Sequence, residues 1–310
     1  MPCIFRRFFL TCLALAASLQ AREGQRPGEE SAAYRYGVEV EMVSLFATVQ
    51  DRGGRLVTGL GQQDFLLYDN GVRQDISQFS REYVPLSVMI LLDTSGSMYG
   101  AKLEHAKRSL LQFLKRLNRG DEAALVGFQA RPRLLQPFTQ DLELVRRRVR
   151  QLEGAGSTAL YDAILYALDQ SGASSNRRRA LLLLSDGINT YGKAELSETV
   201  ARLRRAGVEL FAIGMESEYS EELLHRSITR AVLGSLTESA GGEAFIVRQS
   251  GELARVCAMI SERMHSQYTF AYYPPKAEDA RWRTIRLETR KPDLKVIPSK
   301  TGYFPFKQAP

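Results

Sequence analysis

Residues 86–100 read Leu-Ser-Val-Met-Ile-Leu-Leu-Asp-Thr-Ser-Gly-Ser-Met-Tyr-Gly. Leu86 to Leu92 is almost wholly apolar, without the alternation of a half-exposed strand, as expected of a central parallel strand covered on both faces. The run stops at Asp93, and hydroxyls and glycine follow at once. Leu103, Ala106, Leu110, Phe113, Leu114 and Leu117 then recur at helical spacing. A buried strand feeding an amphipathic helix is the opening of a βαβ unit.

The same alternation continues outward. Strands are expected at Ala123 to Phe128, Ala180 to Leu184, Val208 to Ile213 and Phe245 to Val247, with a hairpin partner around Arg133 to Leu135. Between them, helices carry Leu142, Val145, Val149 and Leu152, then Ala159 to Asp169, then Glu195 to Ala206. A last helix places Leu253, Val256, Cys257, Ile260 and Met264 on one face. The fold class over residues 85–264 is therefore α/β: a doubly wound, Rossmann-like, mostly parallel sheet with helices on both faces.

Both flanks are β-rich. In residues 37–84, Val38, Val40 and Met42 alternate with polar neighbours, Leu45 to Val49 continues the pattern, and Asp69-Asn70-Gly71 is a hairpin signal. In residues 265–310, Tyr268, Phe270 and Tyr272 alternate, and further strands are expected near Trp282 to Leu287 and Leu294 to Ile297. About four strands before and three after make seven, the number in a small immunoglobulin-like sandwich. The expectation is one β domain built from both flanks, with the α/β domain inserted into it.

At the N-terminus, Arg6 and Arg7 precede an apolar run to Ala17, and small residues follow to Ala21. That order is the pattern of a cleaved leader at 1–21, followed by a linker at 22–36. The run is too short to span a bilayer, so no transmembrane span is expected once the leader is removed. An exported protein is expected, whether periplasmic, secreted or held at the cell surface. Of three cysteines only Cys257 would remain, so no internal disulfide can form. Across 310 residues, 44% hydrophobic and 25% charged composition excludes a disordered or many-pass membrane chain.

Three places break the α/β pattern with small oxygen-bearing residues. Asp93-Thr94-Ser95-Gly96-Ser97 ends one apolar strand, Ser185-Asp186-Gly187 ends another, and Gly154-Ala155-Gly156-Ser157-Thr158 opens a helix. Taken alone, the first suits a helix N-cap and the second a turn. Ligands of open α/β sheets bind beyond the carboxyl ends of the strands, where such loops converge. Asp93, Ser95, Ser97, Thr158 and Asp186 together offer three hydroxyls and two carboxylates, a set suited to Mg2+ or Mn2+ rather than zinc or copper.

Asp93-x-Ser95-x-Ser97, Thr158 and Asp186 resemble the metal-ion-dependent adhesion site of von Willebrand factor A-type domains, also found in integrin inserted domains. The likeness covers roughly residues 85–264. The stretch Gly59-Leu-Gly-Gln-Gln-Asp-Phe-Leu-Leu-Tyr-Asp-Asn-Gly-Val-Arg-Gln-Asp-Ile76 and the β tail are similar to a bacterial group of exported proteins related to that family. The resemblance implies that Ser95, Ser97 and Thr158 contact the metal, with Asp93 and Asp186 binding directly or through water. It further implies a non-enzymatic binding module whose protein partner supplies a Glu or Asp carboxylate. The loops Met98 to Lys102 and Ile188 to Lys193 are then expected to form the surrounding surface.

The alternative is a metal-dependent, phosphoesterase-like hydrolase of the cell envelope. Against it, Ser95 stands where an aspartate-nucleophile phosphatase needs its second carboxylate, and no Gly-x-Ser-x-Gly or Gly-x-x-x-x-Gly-Lys-Ser/Thr stretch occurs. His105, His225 and His265 have no metal-spaced companions. The net charge of +7 raises the question of nucleic acid. The arginines at 146–148 and 150 fall between apolar positions of a helix, those at 177–179 in a loop before a strand, and Arg202, Arg204 and Arg205 at a helix end. No aromatic residues interleave with them to stack bases, so they are expected to be solvated faces. Export predicts a native chain that begins near Arg22; mass spectrometry finding an intact Met1 overturns it.

Overall fold

The computed structural model of the chain describes residues 42–186, 189–215, 223–275 and 279–305. The leader and linker expected at 1–36, Val38 and Val40, and Ile188 lie outside these residues. The first flank forms β1 (Val43–Gln50), β2 (Phe65–Asp69), β3 (Val72–Gln74) and β4 (Gln78–Ser80). Along β1, Val43, Leu45, Ala47 and Val49 are buried at a period of two. β2 turns into β3 through Asn70 and Gly71, whose φ of 47° and 80° give the left-handed pair that a tight hairpin requires.

The α/β domain follows as β5 (Leu86–Asp93), α1 (Ala101–Leu114), β6 (Glu122–Phe128), β7 (Pro132–Thr139), α2 (Leu142–Arg150) and α3 (Leu160–Gln170). It continues with β8 (Arg178–Ser185), α4 (Leu196–Ala206), β9 (Glu209–Met215), α5 (Leu223–Ser239), β10 (Glu243–Val247) and α6 (Ser250–His265). The sheet order is β10-β9-β8-β5-β6-β7, parallel except for β7. β5 is buried throughout because its side chains alternate between two cores. Val88, Ile90 and Leu92 join the core with α1, α2 and α6, whereas Met89 and Leu91 join the core with α3, α4 and α5. The chain leaves β5 toward β6 but leaves β8 toward β9, on opposite sides. The order therefore reverses between β5 and β8, the crevice where such sheets bind ligands.

The second flank forms β11 (Tyr268–Tyr272), β12 (Arg283–Thr289), β13 (Lys295–Pro298) and β14 (Gly302–Tyr303). The sheets β13-β1-β11-β4 and β14-β12-β2-β3 each draw on both flanks. β1 pairs antiparallel with β11 from Val43 opposite Tyr272 to Ala47 opposite Tyr268, and β2 with β12 from Phe65 opposite Thr289 to Asp69 opposite Ile285. Leu45, Leu67, Phe270 and Leu287 meet in one core between the two sheets. The two flanks form eight strands among their described residues rather than seven; the addition is the two-residue β14, too short to show as a pattern in sequence.

Two buried polar groups tie this sandwich to the amino edge of the parallel sheet. Asp121 accepts from the backbone N–H groups of Leu86 and Asn118 (both 2.8 Å), from the Tyr83 hydroxyl, and pairs with His265 Nε2 at 2.9 Å. Burial would raise its carboxyl, but these donors outweigh burial and hold it below the ordinary carboxylate range. Tyr83 and His265 lie on the two chain crossings between domains, so one carboxylate holds both. Arg178, 3% exposed, pairs with Glu209 at 3.4 Å, donates to the Met264 carbonyl and stacks over the Phe46 ring of β1. It is thus the first residue of a buried strand and an interdomain contact, not a loop residue on a solvated face. Arg146 likewise reaches the Leu114 carbonyl (2.9 Å), while Arg147, Arg148 and Arg150 are exposed as expected.

Among the described residues, no helix is long and apolar enough to cross a membrane. Cys257 is buried in α6, and burial pushes its thiol up to about 12, as expected of a structural thiol. Asp121→Ala is expected to lower stability by about 3 kcal/mol, because several donors lose one acceptor. Asp293→Ala, which removes an exposed ion pair with Arg52, is expected to cost under ~0.5 kcal/mol. Urea unfolding compares them, and equal midpoints for the two variants overturn this account of the seam.

Candidate functional site

The carboxyl ends of β5 and β8 place Asp93 and Ser185 side by side. Asp93 is the last residue of β5 and has no exposed surface. Its Oδ1 accepts the Ser95 N–H at 2.9 Å and its Oδ2 accepts the Ser185 hydroxyl at 2.7 Å. Ser95, also fully buried, has its Oγ 3.0 Å from that of Ser97, which is exposed. Asp186 follows β8 with a side chain 13% exposed. Hydroxyls and carboxylates therefore grade from a dry floor at Asp93 to a wet rim at Ser97.

The third loop is laced to the first by backbone hydrogen bonds. Ala155 N–H donates to the Thr94 carbonyl and Gly96 N–H to the Gly156 carbonyl, both at 2.8 Å. Gly156 has φ +82°, a conformation that other residues reach only with strain, and it turns the chain toward Thr158. Thr158 is buried. Its N–H donates to Thr190 Oγ1 at 3.0 Å, and its carbonyl accepts from the N–H groups of Thr190 and Tyr191 at 2.9 and 3.0 Å. The segment that follows Asp186 is thereby clasped to the Thr158 loop. Ala159 N–H donates to the Gln129 carbonyl after β6 at 2.7 Å, adding a fourth loop to the lattice.

Burial pushes the Asp93 carboxyl up to about 6, against the hydrogen bonds from Ser185 and Ser95, which pull it down; the neighbouring Asp186 charge raises it further. The five residues singled out in the sequence thus sit on three interlocked loops at the crevice between β5 and β8.

The comparisons bear on this geometry. The family described as "von Willebrand factor type A domain" matches residues 87–254, more than half the chain. The chain belongs to the von Willebrand factor type A family. It is similar to inter-alpha-trypsin inhibitor heavy chain H1 of Sus scrofa, 33% identical over 132 residues, which is 39% of this chain and 15% of that protein. It is also similar to heavy chain H2 of Mus musculus, 22% identical over 193 residues, 56% of this chain and 20% of that protein. The chain thus spans a fifth or less of the length of these two relatives. A solved structure, von Willebrand factor type A from Catenulispora acidiphila, shares the fold with a TM-score of 0.52 at 13% identity, covering 78% of this chain and 74% of that one.

The donor set of this von Willebrand type A domain fits a hard divalent cation. It is oxygen only, it sets Asp186 close enough to raise the cost of the Asp93 charge, and it pairs the carboxylates with hydroxyls rather than imidazole or thiolate. Among the described residues, no group of three or more His, Cys, Asp and Glu side chains is placed to hold a metal ion; in the set above, hydroxyls outnumber carboxylates three to two. Met98 departs from expectation: it is fully buried beneath the loop and belongs to the core with Leu103, so it is no part of an exposed surface. Its neighbour Tyr99 is 74% exposed, and Tyr191 on the opposite loop 53%.

The roles of Ser185 and of the Thr190 clasp do not follow from the spacing of residues along the chain. The hydroxyl that ends an otherwise all-leucine stretch from Leu181 to Leu184 was the available signal. In metal-free protein the folded-state pKa of Asp93 lies above its ordinary 3.8, so folding takes up a proton between these values. Stability therefore falls as pH rises from about 4 to 6, and the cost of the buried charge is fully present above that window. Asp93→Asn is expected to be more stable than wild type in chelator at pH 7.5, by up to ~3 kcal/mol, with the gap closing near pH 4. Thermal melts at both pH values check it; a variant less stable at pH 7.5 contradicts it.

Proposed function

We propose that this chain is an exported, non-enzymatic protein-binding module for adhesion or assembly. In this reading Asp93, Ser95, Ser97, Thr158 and Asp186 hold Mg2+ or Mn2+ at the crevice between β5 and β8. The bound cation supplies a positive, oxygen-seeking point to which an Asp or Glu of a protein partner is drawn.

The observation that carries the reading is the graded site itself. Asp93 is sealed from water beside Asp186, yet Ser97 opens to solvent beside the exposed Tyr99. With the three hydroxyls binding directly and Asp93 and Asp186 acting partly through water, the cation keeps more of its positive charge than in a full carboxylate cage, which leaves attraction for one more acid. Without the cation the same two carboxylates repel an incoming acid. The interlocked loops hold their shape through backbone hydrogen bonds that need no metal, so the fold is expected to survive its removal. Tyr99 and Tyr191 offer rigid aromatic contact area on either side.

The hydrolase reading finds less support. The Ser95 hydroxyl lies against Ser97 and the buried Asp93 carboxylate, with no imidazole as its partner among the described residues, and His265 is committed at the opposite edge of the sheet to Asp121. The test is affinity capture from the cell envelope with Mg2+ or chelator, followed by binding of the purified captured protein to wild type, Asp93→Ala and Thr158→Ala. Binding should be lost in chelator and in both variants while circular dichroism stays unchanged. Equal binding in chelator, or to Asp93→Ala, overturns the proposal.

A further inference from the structure

In the docking reading Lys102 only closes a surface loop; the structure places it in the first turn of α1, where its charge runs against local preference. It is the second residue of α1, where the helix N-terminus carries partial positive charge and an ammonium is disfavoured. The first-turn acid Glu104 does not take it up, because Glu104 pairs with Lys107 at 2.8 Å. Lys102 instead reaches across to Asp186, its Nζ 4.0 Å from Oδ2, with 29% of the lysine side chain and 13% of the aspartate side chain exposed.

That contact lies at the rim of a site holding two carboxylates, of which the deeper, Asp93, is sealed among hydroxyls. A single fixed positive charge there has two consequences of opposite sign. It offsets the Asp93–Asp186 repulsion while no cation is held. It also repels a divalent cation that arrives at the same carboxylates. We infer that Lys102 is a resident counter-charge that sets the cation affinity of the site, occupying Asp186 in the metal-free state and yielding to the metal. This rests on the reading of Asp93 and Asp186 as cation ligands. It makes the site exchangeable: the metal-free state is a compensated state, and cation binding is weaker than the ligand set alone would give.

The test is Mn2+ titration, with free Mn2+ followed by electron paramagnetic resonance, on the whole chain in wild type and in Lys102→Met, Lys102→Arg and Lys115→Met. Removing one unit charge a few ångströms from a divalent ion is expected to tighten binding on the order of tenfold in Lys102→Met, even at the dielectric constant of water. Lys102→Arg, which keeps the charge, should stay near wild type. Lys115 is exposed at the far end of α1, beyond the screening length at about 0.15 M salt, so Lys115→Met should not change affinity. In chelator the melting temperature of Lys102→Met should fall below that of wild type, and saturating Mn2+ should abolish the deficit. Unchanged Mn2+ affinity in Lys102→Met, or an equal gain in Lys115→Met, overturns the inference while leaving the metal reading intact. A wild type that takes up no Mn2+ overturns both.

Discussion

A strand buried on both faces has to end, and the group at its end decides what the fold can do there. In this chain β5 ends on Asp93, a carboxylate with no exposed surface, set where the strand order reverses. Burying such a group is costly unless it is hydrogen-bonded or paired with charge. The surroundings answer that requirement in layers: the Ser95 amide and Ser185 hydroxyl touch it, Ser97 extends the hydroxyl chain outward, and the Gly156 loop closes over Gly96. The local arrangement of three loops follows from one desolvated acid. A site built around a destabilised charge is also one that gains most when a cation arrives.

Much of the fold was legible because its signals are local. The apolar runs of β5, β8 and β9 could only be strands covered on both sides, and the helical stripes between them set the βαβ order. Asp69-Asn70-Gly71 announced its hairpin through residue chemistry alone. The 17-residue helix α5 was not read from sequence. Its buried face includes Thr229 and Thr237 among Leu233 and Leu236, so half the stripe looks polar to any pattern of hydrophobic spacing. Arg178 departs from expectation for a related reason. An arginine within a run of three reads as solvated, and only the tertiary partners Glu209, Met264 and Phe46 make its burial intelligible.

The meeting of the three loops of the candidate site was legible because each loop sits at the end of a recognisable element. What sequence could not supply was the cross-linking between loops. The Thr158–Thr190 clasp joins positions 32 residues apart and uses residue types common in any turn. Lys102 illustrates the same limit: nothing in its neighbourhood along the chain shows that it faces Asp186 rather than water. Met98 shows the converse, an apolar residue inside a polar loop that belongs to the core below.

Both flanks of the chain enter the same two sheets, and the α/β domain is entered and left at one edge, where Tyr83 and His265 share Asp121. Tension applied through residue 42 on one side and residue 305 on the other therefore passes across the sandwich, by way of the β1–β11, β1–β13 and β2–β12 ladders. The inserted domain lies outside that load path for as long as those ladders hold. A tether could be pulled without stretching β5 or shifting the loops beyond it, so the carboxylate floor would keep its geometry under strain that the sandwich alone bears.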